Sequence, residues 1–332
     1  MKSLLRRVSG YALQALVGSA LPIAAAAAQV TSPPSASSPT APALQGEILG
    51  RYSWPITTAS SRAQAYFDQG ARLKYAYGSA RESFREAQRL DPSCAMCWWG
   101  EAWSMGPSFN SSGMSASAES TARELVERAL SVASEATPVE RALIETLRSR
   151  YSPSPPTGSR RGRDSAYVSA MAAVYERFPE HSEVAMLYAD ALMLLEPRRG
   201  AWPVEKPSVR LIHEVLESAL ARDLGHPGVC HAYLHATETT PKVVEAQRCA
   251  DLLGSSIPGA SHINHMPSHT YNRIGRWESA VRANIESGLA VQPDAAVVVI
   301  ADRAADAGLL VRVVDQARVA GAERVSLASQ AR

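Results

Sequence analysis

Ala80-Arg81-Glu82-Ser83-Phe84-Arg85-Glu86-Ala87-Gln88-Arg89-Leu90-Asp91-Pro92 places Ala80, Phe84, Ala87 and Pro92 at spacings of 4, 3 and 5. The first three share one face of a 3.6-period helix. Small residues there let a neighbouring helix approach, the Phe inserts as a knob between them, and the proline ends the segment. Upstream, Ala63, Tyr66, Phe67 and Gly70 lie on one face of a helix predicted from Arg62 to Tyr77. Downstream, a further helix opens at Ala95, with Trp98 and Ala102 at its packing positions. The unit predicted is a helical hairpin followed by the start of another.

That spacing is the pattern of a tetratricopeptide unit, and the chain continues in kind. Thr137-Pro138-Val139-Glu140 reads as a capping box with Pro at the first helical position, opening a helix to about Tyr151. Ser152 to Arg163 reads as a Pro/Gly/Arg loop, after which Asp164 is expected to cap a helix running to Phe178. Glu183 to Leu195 is apolar on one side, Pro197 to Pro207 is a break, and Lys242 to Leu253 is a predicted helix. Tyr271, Gly275, Ala280 and Pro293 repeat the early spacing. The fold class expected is all-α, a tetratricopeptide-like α-solenoid over residues 47–290. After residue 290 the texture changes. Ala296 to Ile300 is a β-branched run, Asp306 to Ala320 is helical and Arg324 to Ser329 alternates, which predicts a small β-α-β appendage over residues 291–332.

The 332 residues carry a formal charge of +2, and the basic run Arg160-Arg161-Gly162-Arg163 is too short to track phosphates, so no nucleic-acid partner is expected. Lys2, Arg6 and Arg7 precede an apolar stretch over residues 11–28 that ends Ala26-Ala27-Ala28. Residues 1–28 read as a signal peptide cleaved near Ala28. An uncleaved anchor fits less well, because Gly18 and Pro22 interrupt the stretch. Residues 29–46 form a Pro/Ser/Ala-rich linker. No other segment approaches about 18 uninterrupted apolar residues, so the mature chain is expected to be periplasmic or secreted, with no membrane span. In an oxidising compartment Cys230 and Cys249 can bridge across a helical hairpin turning near Thr239-Thr240-Pro241, with two free buried thiols as the competing reading. Cys94 and Cys97, a C-x-x-C, read as core thiols or a disulfide ahead of a metal site.

Six of the eight histidines fall between positions 226 and 269: His226, His231, His235, His262, His265 and His269. His231/His235 and His265/His269 are i,i+4 pairs, each on one helical face, and His262 lies a turn before His265. If the two faces meet, the imidazoles make a nitrogen-rich site suited to zinc, copper or iron. His226 is a candidate further ligand. Glu238, a turn beyond His235, would be a ligand, an orienter of the histidines, or an acid/base group. Pro267 must start a helix there or kink one. The competing reading is a buried, hydrogen-bonded histidine network. No H-E-x-x-H, G-x-S-x-G, phosphate loop or dinucleotide fingerprint is present.

These motifs carry a resemblance. Leu90-Asp91-Pro92 with Cys94-Ala95-Met96-Cys97-Trp98-Trp99-Gly100, then His226-Pro227-Gly228, His231, His235 and Glu238, and above all Gly259-Ala260-Ser261-His262-Ile263-Asn264-His265-Met266-Pro267-Ser268-His269 with Arg273, Gly275 and Asn284, look like a family of exported bacterial tetratricopeptide repeat proteins. The likeness covers about residues 50 to 290. It implies a helical-repeat fold and carries no settled reaction. Members often have one histidine before the Pro-Ile-Thr-Thr element and another after an aromatic-Asn pair, where this chain reads Ser53-Trp54 and Tyr77-Gly78-Ser79. If those histidines complete a metal site in the family, the site here is differently coordinated. Residues 293 to 329 resemble the end of the periplasmic domain of ExbD/TolR-type energy-transduction proteins, which implies either a docking module or a fused fragment.

Two functions follow. One is a metalloprotein holding a divalent transition metal on His231, His235, His262, His265 and His269, with Glu238 or a bound water supplying acid/base chemistry. The other is a scaffold whose groove takes a periplasmic protein or peptide, with structural histidines. Stoichiometric metal separates them.

Overall fold

The computed structural model describes residues 42–151, 158–198, 200–302 and 304–329. The expected signal peptide, the expected linker up to residue 41 and residues 152–157 of the Pro/Gly/Arg loop lie outside the described residues. The described chain is mostly helical. Its elements are α1 (Ser61–Tyr75), α2 (Arg81–Leu90), α3 (Ala95–Met105), α4 (Ala116–Ser131), α5 (Pro138–Arg150), α6 (Arg160–Arg177), α7 (Ser182–Met193), α8 (Pro207–Arg222), α9 (Pro227–Thr237), α10 (Gln247–Ser256), α11 (Ser261–His265), α12 (Pro267–Arg273), α13 (Trp277–Val291), β1 (Ala296–Ala301), α14 (Ala307–Val319) and β2 (Arg324–Ser329). Among the described residues no helix is long and apolar enough to cross a membrane.

Each helix from α1 to α10 packs on the next in sequence, and α1 also meets α9. The Phe84 knob explains the early packing. Its ring is fully buried against Gly70 of α1 on one side and Gly100 of α3 on the other. Beside it Trp99 stacks on Trp103 with centroids 5.1 Å apart, and Trp54 meets Trp99 edge-to-face at 5.4 Å. The expected capping box is present at α5, where Thr137 and Glu140 satisfy each other's backbone N–H groups.

Three helix ends differ from the sequence expectation, each for a local reason. α6 starts at Arg160 rather than after Asp164: Ser159 supplies the cap to the Gly162 N–H, and Arg163 and Arg160 turn inward to the buried Glu119 and to Asp164, at 2.6 and 2.9 Å. α1 stops at Tyr75. The Gly78 N–H then reaches back to the Leu73 carbonyl and the Tyr77 N–H to that of Lys74, with Tyr77 in the left-handed region at φ 54°. This closure normally uses glycine, so a tyrosine there costs on the order of 1 kcal/mol. The predicted helix over Lys242 to Leu253 divides into a 3-10 turn at Pro241–Val244 and α10.

Cys230 of α9 is bonded to Cys249 of α10, with Cα atoms 5.0 Å apart. Cys94 is bonded to Cys97. That bridge is feasible because Cys94 sits before α3 with extended backbone (ψ 100°) rather than inside the helix. At the end of the chain β1 and β2 pair in parallel, from Ala296 opposite Arg324 to Ala301 opposite Ser329, and α14 between them packs on α13.

Candidate metal centre

α9 is enclosed along its whole length, from Pro227 to Thr237. His226 begins it, with Nδ1 accepting the Val229 N–H at 3.2 Å. Inside the helix His231 and His235 share one face, turned toward the end of α1 and toward α11. His231 is buried, and its Nδ1 lies 2.5 Å from the Tyr75 carbonyl, a group left without a helical partner where α1 ends. A carbonyl only accepts, so Nδ1 carries the proton and Nε2 presents a lone pair. That lone pair lies 3.0 Å from Nε2 of His262.

His235 repeats the arrangement. Its Nδ1 is 3.3 Å from Oε1 of Glu238, and its Nε2 is buried with no hydrogen-bond partner. One ring nitrogen from each of His231, His235 and His262 lies within 4.8 Å of the others. Tyr77, displaced from the helix by its left-handed backbone, lays its ring over all three, at centroid distances of 4.7, 6.0 and 5.2 Å. Phe109 closes on His235 at 5.2 Å.

The other two histidines sit beside this group. Pro267 starts α12 rather than kinking a longer helix, and Met266 links it to α11 in helical conformation, so His265 and His269 keep their i,i+4 relation. Their Nε2 atoms are 2.9 Å apart. His269 Nδ1 is 2.6 Å from Oε2 of Glu238, and His265 Nδ1 is 2.8 Å from Oδ1 of Asn284. The Glu238 carboxylate therefore stands between the two groups, receiving His235 on one oxygen and His269 on the other. Arg273 fixes its backbone, donating to the Glu238 carbonyl at 2.7 Å.

Burial opposes the charged form of His231, His262 and His265. Burial pushes the His231 imidazole well below its ordinary pKa, with His235 and His262 adding to the effect. Burial, then His235, His265 and His269, pushes His262 down to about 4. His265 is lowered too, first by burial. For Glu238 burial acts in the opposite sense, but hydrogen bonds from His235 and His269 outweigh it and hold the carboxyl at about 2. Behind His231 lies a cavity of about 20 Å³ lined in part by Lys74, Tyr77 and Asp190, room for about one water. There burial, and next Arg150, pushes Lys74 down to about 8.

The structure thus brings together five of the six singled-out histidines, with Glu238 between them. His226 is elsewhere: its ring packs on Tyr52 at 4.7 Å, and its Nε2 faces the buried Glu183 at 3.4 Å. Tyr77 has no sequence signal as a site residue, because a tyrosine in the left-handed region is not foreseeable. Asn284 and Arg273, met above only as motif positions, prove to hold His265 and Glu238. Of the two stretches where the resembled proteins often carry a further histidine, Tyr77-Gly78-Ser79 has its tyrosine beside the histidines, whereas Ser53-Trp54 has its tryptophan in the aromatic core. No protein-family model matches the chain, and a comparison with curated proteins finds no match either.

Proposed function

We propose that this chain is an exported, tetratricopeptide-like helical-repeat protein that binds a divalent transition metal on His231, His235 and His262. The observation that carries the reading is the set of Nδ1 partners. The Tyr75 carbonyl and Glu238 each take an Nδ1 proton, which leaves the buried Nε2 lone pairs of His231 and His235 directed inward beside His262. Lone pairs facing one another without a proton or cation between them repel, and the low proton affinity of His231 and His262 favours a metal as the occupant. Three neutral imidazoles suit zinc, copper or iron, and three protein ligands leave a position for water or substrate. Glu238 orients His235 through its outer nitrogen, the usual service of a carboxylate behind a ligating histidine. The repeat architecture is supported by the tetratricopeptide spacing and by helices that pack in sequence order. Export is supported by the n-region, apolar stretch and small-residue exit of residues 1–28.

The test is elemental analysis of the protein made without a histidine tag, followed by titration of the metal-stripped chain with zinc, copper and iron. A tight equivalent, lost in His231→Ala/His235→Ala while helical circular dichroism persists, is the expected result. Protein that takes up none of the three would sink the metal reading and turn the search to a peptide or protein partner for the repeat surface.

A further inference from the structure

The three-histidine centre does not use His265 and His269, yet these two rings repeat its logic. Asn284 is held by its own Nδ2, which donates to the Ala280 carbonyl at 2.9 Å, so Oδ1 is the atom that faces His265 Nδ1 and accepts its proton. Oε2 of the Glu238 carboxylate lies 2.6 Å from His269 Nδ1, too close for two lone pairs, so that nitrogen carries the proton. Both Nε2 atoms then carry lone pairs, and they face each other at 2.9 Å. The His269 side chain is 37% exposed, so this pair opens to solvent where the other group is enclosed.

We propose that His265 and His269 form a second, more open transition-metal site beside the first, so that the chain takes two divalent d-block cations linked through the Glu238 carboxylate. The inference rests on the reading that these imidazoles bind metal at all. Glu238 would place one negative charge between two cations, reaching one through His235 and the other through His269. Two protein nitrogens leave at least two positions for water or a substrate oxygen, and imidazole ligands select borderline ions such as copper(II) or zinc. The closeness of the two groups shows in His262, whose proton affinity His265 and His269 both lower.

Copper(II) titration of the metal-stripped full chain, read by elemental analysis and by electron paramagnetic resonance, tests this. Wild type should take two equivalents, the first tighter. His265→Ala/His269→Ala should keep only the tight one, and His231→Ala/His262→Ala only the weak one. Asn284→Leu touches no metal but removes the acceptor behind His265. It should weaken the second equivalent about 10- to 100-fold and leave the first unchanged. A single equivalent in wild type would overturn the second site alone. So would a second equivalent indifferent to Asn284→Leu, since that marks an ordinary surface histidine pair. No uptake by any of the proteins would overturn both sites.

Discussion

A histidine offers a lone pair to a metal at one nitrogen only when the other holds the proton, so the partners of Nδ1 decide what the ring can do. In this chain the partners differ from ring to ring. His226 uses Nδ1 as a helix cap, accepting the Val229 N–H, which leaves its Nε2 as a proton-bearing group turned to Glu183. His231, His235, His265 and His269 do the reverse, each with Nδ1 against an acceptor. Glu238 serves two of them, and its charge is what makes both outer nitrogens donors. Glu238→Gln should therefore weaken metal binding at the three-histidine centre about 10- to 100-fold with the fold intact, as measured by competition with a chelator of known affinity. An unchanged affinity would mean that His235 is oriented by packing alone. The i,i+4 spacing showed in advance which histidines could share a face. It could not separate His226 from the rest, because capping depends on where the helix begins, nor show which rings meet, because that depends on how α9 sits against α11.

At the level of elements, the contact between α1, α2 and α3 is fixed by one aromatic ring and two missing side chains. A Cβ on Gly70 would stand 2.7 Å from the Phe84 ring, and one on Gly100 would collide with it too. Gly100→Ala should destabilise the protein by about 1–3 kcal/mol, seen as a lower urea midpoint at unchanged slope. Adding Phe84→Leu should return part of the loss, because the clash is with the ring itself; a double variant less stable than either single one would refute the account. Such packing was readable from Ala80, Phe84, Ala87 and Pro92, since small and large residues at helical spacing have few other uses. The capping box at Thr137 was equally readable, because both partners lie within one turn. The start of α6 was not. Asp164 has the composition of a cap, and what draws the preceding arginines into the helix is Glu119, over 40 positions away in sequence. Nor did residues 61–77 announce that α1 would stop at Tyr75, since the closing residue is not a glycine.

For the molecule as a whole, the histidine groups and the Glu183 cluster tie stability to pH. His231 and His262 are neutral in the fold and have lowered proton affinity, with His262 at about 4 against 6.5 for a free ring. Between those values the unfolded chain binds more protons than the folded one, so stability rises with pH there. Their contribution is complete above about pH 6.5 and is lost as pH falls toward 4. Glu183 acts lower. It is buried, but His226, Tyr52 and Tyr75 outweigh burial and hold its pKa below the ordinary 4.5, so its contribution is present above 4.5 and fades beneath it. The metal-free protein should thus lose melting temperature in two stages on acidification, and His231→Leu/His262→Leu should flatten the upper stage alone. Metal should sharpen that upper stage, because cation and proton compete for the same nitrogens. At pH 7.5, zinc at about 1,000 times its dissociation constant should add about 4 kcal/mol. By pH 4 that gain should be gone, since protons then occupy the rings. A zinc-dependent rise in melting temperature that is equal at both pH values would place the ion on carboxylates rather than on the imidazoles.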